Sequence, residues 1–147
     1  MALSIGCGNA QGGAAQGPFD GKTLETVMDE IYAGAGVDIP SLGTIEITAE
    51  NETAFLGTSG IKFSEAIASE PMIGAVAYSV CLVRVQPGED IEKVKQSIKE
   101  NANPSKWICV NVDESNVIVD SAGDVIILVM TNEYAKSIHD SFVALKG

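Results

Sequence analysis

A predicted β-hairpin in the C-terminal third limits the possible folds more than any other segment. Two runs rich in β-branched residues, Val117–Val119 and Val125–Met130, flank the short loop Asp120–Asp124. Gly123 in that loop can adopt the positive φ angle that a tight turn requires. The second run is apolar at every position, which is typical of a central strand that is buried on both faces or thickly covered. The sequence therefore predicts a sheet in which residues 125–130 form a central strand.

Helices and strands alternate along the rest of the folded part. Apolar residues that recur every three or four positions predict helices, and short β-branched or alternating runs predict strands. The predicted order is a helix over 23–32, a strand over 44–48, a helical turn over 50–56, strands over 64–72 and 76–85, a helix over 89–102, a helical turn from Asn103, the hairpin, and a helix capped by Asn132. A leading helix is thus followed by two strand–strand–helix units. This order predicts an α+β fold with an antiparallel sheet of four to five strands and helices mainly on one face.

Residues 1–21 are predicted to lie outside a single folded domain that spans residues 22–147. Cys7 follows the small residue Gly6, as the lipidated cysteine of a bacterial lipoprotein follows its cleavage site. The uncharged, glycine-rich segment Gly8–Gly17 fits a flexible tether. Only six residues precede Cys7, so the basic start and apolar stretch of a secretion signal are missing. The sequence indicates a truncated or misassigned start, the alternative being an ordinary cysteine in a frayed terminus.

The charge of the chain argues against two classes of partner. The chain has 20 acidic and 9 basic residues, a net charge of −11. Such a charge disfavours nucleic acid and direct adsorption on anionic lipid, although it also serves simply for solubility. No apolar run approaches the length of about 18 residues that a membrane-spanning helix needs. Membrane association is therefore expected only through a lipid on Cys7.

Cys81 and Cys109 leave two interpretations open. In an oxidising compartment they form a possible disulfide. Each lies in an apolar run, Val80–Val83 and Trp107–Val110, and a buried free cysteine behaves as a small apolar residue. The apolar surroundings favour two free thiols.

Three stretches taken in order resemble a known family: Phe63–Met72, Tyr78–Val85, and Pro104–Val110 followed by Val117–Asp124. The chain resembles small bacterial lipoproteins, common in Gram-positive anaerobes, that carry a domain of unknown function. The similarity covers residues 22–147, and the incomplete leader departs from the family's pattern. The resemblance implies a secreted, lipid-anchored α+β domain, and it assigns no activity and no catalytic or binding residue.

Catalytic machinery is not evident in the sequence. The single histidine, His139, is expected at the surface margin of the last helix rather than in a catalytic set. The chain lacks the Gly-x-Ser-x-Gly elbow of many serine hydrolases, and Gly57–Gly60 lacks the lysine of a phosphate-binding loop. No cofactor is therefore expected.

Carboxylates gather around the hairpin and form the one candidate metal site. Asp113, Glu114, Asp120 and Asp124 offer the oxygen ligands that calcium prefers. Their spacing matches no EF-hand loop, and aspartate is common in turns for conformational reasons. The favoured interpretation is that they are turn residues.

Lys106 and Trp107 form a candidate partner contact, because tryptophan is enriched at interaction hot spots. The alternative is that Trp107 fills the seam between a helix and the sheet.

The leading functional hypothesis is a non-enzymatic binding module, tethered to the outer face of the cytoplasmic membrane, with a protein, peptide or cell-wall ligand as its partner. The alternatives are a hydrolase or cation-dependent enzyme that uses the acidic hairpin, and a structural accessory subunit.

Overall fold

The computed structural model describes residues 17–39, 41–72, 76–107 and 109–146, so Cys7 and most of the predicted tether lie outside the described residues. Within these residues the chain forms five strands and four α-helices. They are α1 (Leu24–Ala35), β1 (Leu42–Glu46), α2 (Glu52–Leu56), β2 (Phe63–Pro71), β3 (Tyr78–Val85), α3 (Ile91–Asn101), β4 (Val117–Ala122), β5 (Val125–Thr131) and α4 (Ala135–Leu145). None of these helices combines the length and the apolar character needed to cross a bilayer.

The strands form one sheet in the order β1-β2-β3-β5-β4. Every neighbouring pair is antiparallel. β5 pairs with β3 on one side and with β4 on the other, and all seven of its residues are buried. This confirms the predicted central strand. The two edges of the sheet are β1 and β4.

The helices cover both faces of the sheet. α1 and α4 pack on the face that includes Val80 and Leu82. α2 and α3 pack on the opposite face, which includes Cys81 and Val83. The α+β class and the antiparallel sheet are as predicted, but the helices are divided between the faces rather than gathered mainly on one. The reason is that β3 and β5 are apolar at successive positions, so both faces require cover.

Side-chain caps begin two of the helices. The Thr23 hydroxyl accepts a hydrogen bond from the backbone N–H of Thr26 at the start of α1, and Asp90 does the same for Lys93 at the start of α3. Such caps satisfy N–H groups that have no partner within the helix. Gly36 ends α1 in the left-handed conformation.

Two predictions about where helical structure begins are wrong. Asn132 does not cap α4, which begins after Tyr134. Asn132 instead accepts the backbone N–H of Asp113 at 2.9 Å and donates to the carbonyl of Asn111 at 3.1 Å. The Asn132 amide thus holds the loop that precedes β4. These hydrogen bonds to residues distant in sequence form in place of the predicted cap of α4. The helical turn predicted from Asn103 does not form over residues 103–107, and Trp107 lies in a bend.

Candidate functional site

The register of β1 determines which of its backbone groups bond to the sheet. Backbone hydrogen bonds join Met72 to Ser41 at one end of β1 and Ile47 to Ala66 at the other. Hydrogen-bonded and non-hydrogen-bonded pairs alternate along an antiparallel ladder. Residues 43 and 45 therefore bond to β2, and residues 42, 44 and 46 direct their N–H and C=O groups away from it.

The outer edge of β1 is consequently open. Leu42, Thr44 and Glu46 each present one N–H and one C=O on this edge. Asn51 donates its side-chain amide to the carbonyl of Glu46 at 3.1 Å. The other outward groups have no hydrogen-bond partner among the described residues, and both Thr44 and Glu46 are exposed.

Lysines cover two of the three outward carbonyls of the opposite edge. By the same alternation, Val117, Val119 and Ser121 of β4 face outward. The ammonium group of Lys99 in α3 donates to the carbonyl of Val117. The ammonium group of Lys146, which follows α4, donates to the carbonyl of Ser121 at 3.1 Å.

The outward N–H groups of β4 are also largely used. The N–H of Val117 bonds to the carbonyl of Glu114, and the N–H of Ser121 bonds to the carboxylate of Asp120 at 2.7 Å. Only the N–H and C=O of Val119 remain without a partner among the described residues. An unpaired edge strand is a template for another strand, and proteins commonly block such edges with charged side chains. Lys99 and Lys146 block β4 in this way, whereas on β1 only the Glu46 carbonyl is covered by a side chain from the described part of the chain.

An acidic notch lies beside the end of β1, where β2 continues past it. The cavity has a volume of about 370 Å³ and is lined by Glu25, Glu46 and Glu65 among others. Glu65 is already engaged, because it accepts the N–H of Leu24 at 2.9 Å and lies 3.6 Å from Arg84. Glu25 and Glu46 are exposed and form no ion pair within the described part of the chain. The notch therefore presents uncompensated negative charge.

The other face of the same edge is apolar. Met72 lies against Gly43, because a Cβ atom built on Gly43 would be 2.5 Å from the Met72 sulfur. The Met72 side chain is 71% exposed, and the half-buried Ile45 lies next to Gly43 on this face. Glycine at position 43 thus makes room for a flexible apolar side chain at the edge of the sheet.

The predicted contact residues Lys106 and Trp107 pack within the protein. The Lys106 ammonium lies 2.6 Å from the Glu70 carboxylate, 4.7 Å from the centre of the Phe55 ring and 5.4 Å from that of Trp107. Trp107 is half-buried against the apolar cluster between the sheet and α2–α3. These contacts correspond to the alternative interpretation, in which Trp107 fills a seam between helix and sheet.

The calcium candidates engage separate partners. Asp124 forms an ion pair with Arg84 at 3.2 Å, and Asp120 lies 2.8 Å from His139. Asp113 and Glu114 are exposed, at the start of a 3-10 turn that leads into β4. Within the described ranges, no three His, Cys, Asp or Glu side chains converge as a set of metal ligands.

Asp120 joins the cationic groups at the β4 edge. Besides His139, it lies 3.5 Å from Lys146 and 4.0 Å from Lys95. Partial burial raises the pKa of the Asp120 carboxyl, but the hydrogen bonds from His139 and the Ser121 N–H, together with the Lys146 charge, outweigh this effect, so the pKa lies below its ordinary value. His139 thus lies at the margin of α4, where its imidazole is hydrogen-bonded to the Asp120 carboxylate.

Cys81 and Cys109 are both free thiols, as the apolar surroundings favoured. Cys81 is fully buried in β3, and this burial raises the pKa of its thiol to about 12, despite a hydrogen bond with Ser79 that lowers it. Cys109 is exposed, although its run predicts a buried position. Trp107, in the same run, packs against the core.

Comparisons with protein-family models, curated proteins and solved structures found no match to this chain.

The sequence did not predict the open edge of β1. The short strand itself is predicted at residues 44–48, but its position at the edge depends on pairing between distant segments. The exposed Glu46 is the only local signal, since a charge within a short strand is typical of an edge.

Proposed function

We propose that this chain is a non-enzymatic binding module that takes up an extended peptide segment at the outer edge of β1. The segment adds to the sheet as a sixth strand, and its backbone pairs with the outward N–H and C=O groups of residues 42, 44 and 46. One observation carries the proposal: among the described residues, side chains cover most of the β4 edge, whereas only the Glu46 carbonyl of the β1 edge is covered.

Strand addition suits this edge for physical reasons. Main-chain hydrogen bonds supply affinity without requiring a particular sequence, and alternate side chains of the added strand supply specificity. The receiving strand is paired along its length with β2, so the edge is ordered before the segment arrives. Preorganisation lowers the entropy cost of binding.

We further propose that the module is tethered to the outer face of the cytoplasmic membrane through Cys7. The proposal rests on the Gly6–Cys7 pair and on the glycine-rich segment that follows it. Metabolic labelling of the protein in its native cell with a tagged fatty acid tests the anchor. Label is expected on the wild type and not on Cys7→Ser, and an unlabelled wild type would refute it.

The strand-addition proposal is tested with two proline variants. Thr44→Pro removes an outward N–H from β1, and the proline ring obstructs a strand docked there, while the bonds to β2 stay intact. Val119→Pro makes the same change at the blocked edge. The probe is a displayed library of random dodecapeptides. Selected peptides should bind the wild type and the Val119→Pro variant. They should not bind the Thr44→Pro variant.

Amide hydrogen exchange gives an independent readout on the wild type. Without peptide, the amides of Leu42, Thr44 and Glu46 should exchange fast, and those of Gly43 and Ile45 slowly. A selected peptide should protect the first group alone. Uniform slowing across the domain, or protection confined to another surface, would refute binding at this edge.

A further inference from the structure

We infer that the segment accepted at the β1 edge alternates basic and apolar residues, with lysine or arginine on the α1 side of the sheet. This inference rests on the proposed function and adds the chemistry of the partner. It follows from the different character of the two faces that meet along β1.

The α1 side of the edge is acidic. Glu46 points to this side, and Glu25 reaches the same notch from the first turn of α1. Both carboxylates lack a cationic partner among the described residues, whereas Glu65 beside them is engaged by Arg84. A basic side chain of the added strand would meet unneutralised charge here.

The opposite side of the edge presents apolar side chains beside the Lys106–Glu70 ion pair. Gly43 and Ile45 point to this side, and the exposed Met72 lies across Gly43. Apolar side chains of the added strand would cover Met72 and Ile45, and the unbranched methionine adapts its shape to them. Successive residues of a strand point to opposite faces, so the two requirements translate into strict alternation.

A basic partner also fits the whole protein better than a second copy of this chain. The net charge of −11 attracts a cationic segment and repels another molecule of the same charge. In a symmetric pairing centred on Thr44, the two Glu46 carboxylates would face Leu42 of the other copy and gain no ion pair.

Three capped decapeptides test the inference by isothermal titration. The first alternates lysine and valine, the second replaces each lysine by glutamate, and the third has the lysines and valines grouped into two blocks. The alternating lysine peptide should bind most tightly. Thr44→Pro should abolish this binding, and raised salt should weaken it by screening the charges.

Two double variants locate the charge effect. Glu25→Gln with Glu46→Gln should weaken binding of the lysine peptide by about two- to thirtyfold, the range expected for two exposed ion pairs. Glu114→Gln with Glu133→Gln makes the same change in charge at exposed sites elsewhere and should alter the affinity much less. Equal losses in both would reduce the effect to overall charge and overturn the inference.

The remaining outcomes separate the inference from the proposed function. Equal affinity for the lysine and glutamate peptides, with both lost in Thr44→Pro, would overturn the inference and leave strand addition standing. Equal affinity for the alternating and block peptides, undiminished by Thr44→Pro, would overturn the proposed function. Dimerisation of the wild type that Thr44→Pro abolishes would assign the edge to a second copy and overturn the basic partner.

Discussion

Thr44 and Val119 occupy equivalent positions on opposite edges of the sheet. Each lies at the middle of the outward-facing positions of its strand and directs its N–H and C=O away from the neighbouring strand. The groups on either side of Val119 are occupied by lysines, a carboxylate and a turn carbonyl. The groups around Thr44 are open except for the carbonyl of Glu46. Within the described ranges, the protein therefore blocks one edge and leaves the other accessible.

The register of β1 predicts that two adjacent proline substitutions differ in their effect on the free energy of unfolding. Thr44→Pro should change the free energy of unfolding by less than about 1 kcal/mol, because the lost N–H faces solvent. Ile45→Pro removes a bond to β2 and leaves a carbonyl without its donor, which costs about 1–3 kcal/mol. Urea denaturation measures both values. Equal losses would mean that the register of β1 is shifted by one residue.

The interior of this sheet was predictable from the sequence because burial leaves a local pattern. β5 is apolar at every position, and this alone predicts a strand enclosed on both sides. The same pattern implies two covered faces, yet the sequence does not show which helix covers which face. That distribution depends on contacts between distant segments, such as α1 with α4.

The blocked and open edges were not predictable for a related reason. In the sequence, Lys99 in α3 and Lys146 just after α4 resemble ordinary surface lysines. Only the packing of those helices brings them to β4. Lys106 illustrates the opposite case, since a basic residue beside Trp107 suggests a free contact. The carboxylate of Glu70, distant in sequence, makes it an internal ion pair.

Because Lys99 and Lys146 cover carbonyls of β4, we expect that removing these two lysines opens the β4 edge. Lys99→Ala with Lys146→Ala uncovers the carbonyls of Val117 and Ser121, which are then free to pair with another molecule. We expect concentration-dependent self-association by light scattering, with less than about 1 kcal/mol of stability lost for each lysine.

A matched control removes two other lysines from the same helices. Lys93 and Lys136 are exposed and do not contact β4, so Lys93→Ala with Lys136→Ala should stay monomeric at the same net charge. Self-association of both variants alike would attribute the effect to charge and contradict a blocking role for Lys99 and Lys146.

The thiols of Cys81 and Cys109 should differ sharply in reactivity. Thiolate is the reactive form, and Cys81 is both inaccessible and shifted to a pKa of about 12. In a Cys7→Ser background at neutral pH, iodoacetamide should modify Cys109 and leave Cys81 untouched until denaturant is added. Peptide mapping by mass spectrometry distinguishes the two. Rapid modification of Cys81 in the native protein would contradict its place in the core.

Asp120 predicts how the stability of the domain depends on pH. Its pKa is lowered in the folded state below the ordinary value of 3.8, so the unfolded chain binds this proton more readily. The stabilisation is fully present above the unfolded pKa and is lost as the pH falls through the folded pKa. Asp120→Asn should cost about 1–2 kcal/mol at neutral pH, because the carboxylate bonds to charged groups but is partly exposed.

Urea denaturation at a series of pH values measures this difference between wild type and Asp120→Asn. The difference should be present at neutrality and should shrink as the pH falls below about 4. Asp140→Asn serves as the control, because Asp140 pairs with the exposed Lys136 on the same helix, and this substitution should change stability by less than about 0.5 kcal/mol. A wild-type advantage over Asp120→Asn that persists undiminished at pH values well below 3 would show that the Asp120 interactions do not depend on its negative charge.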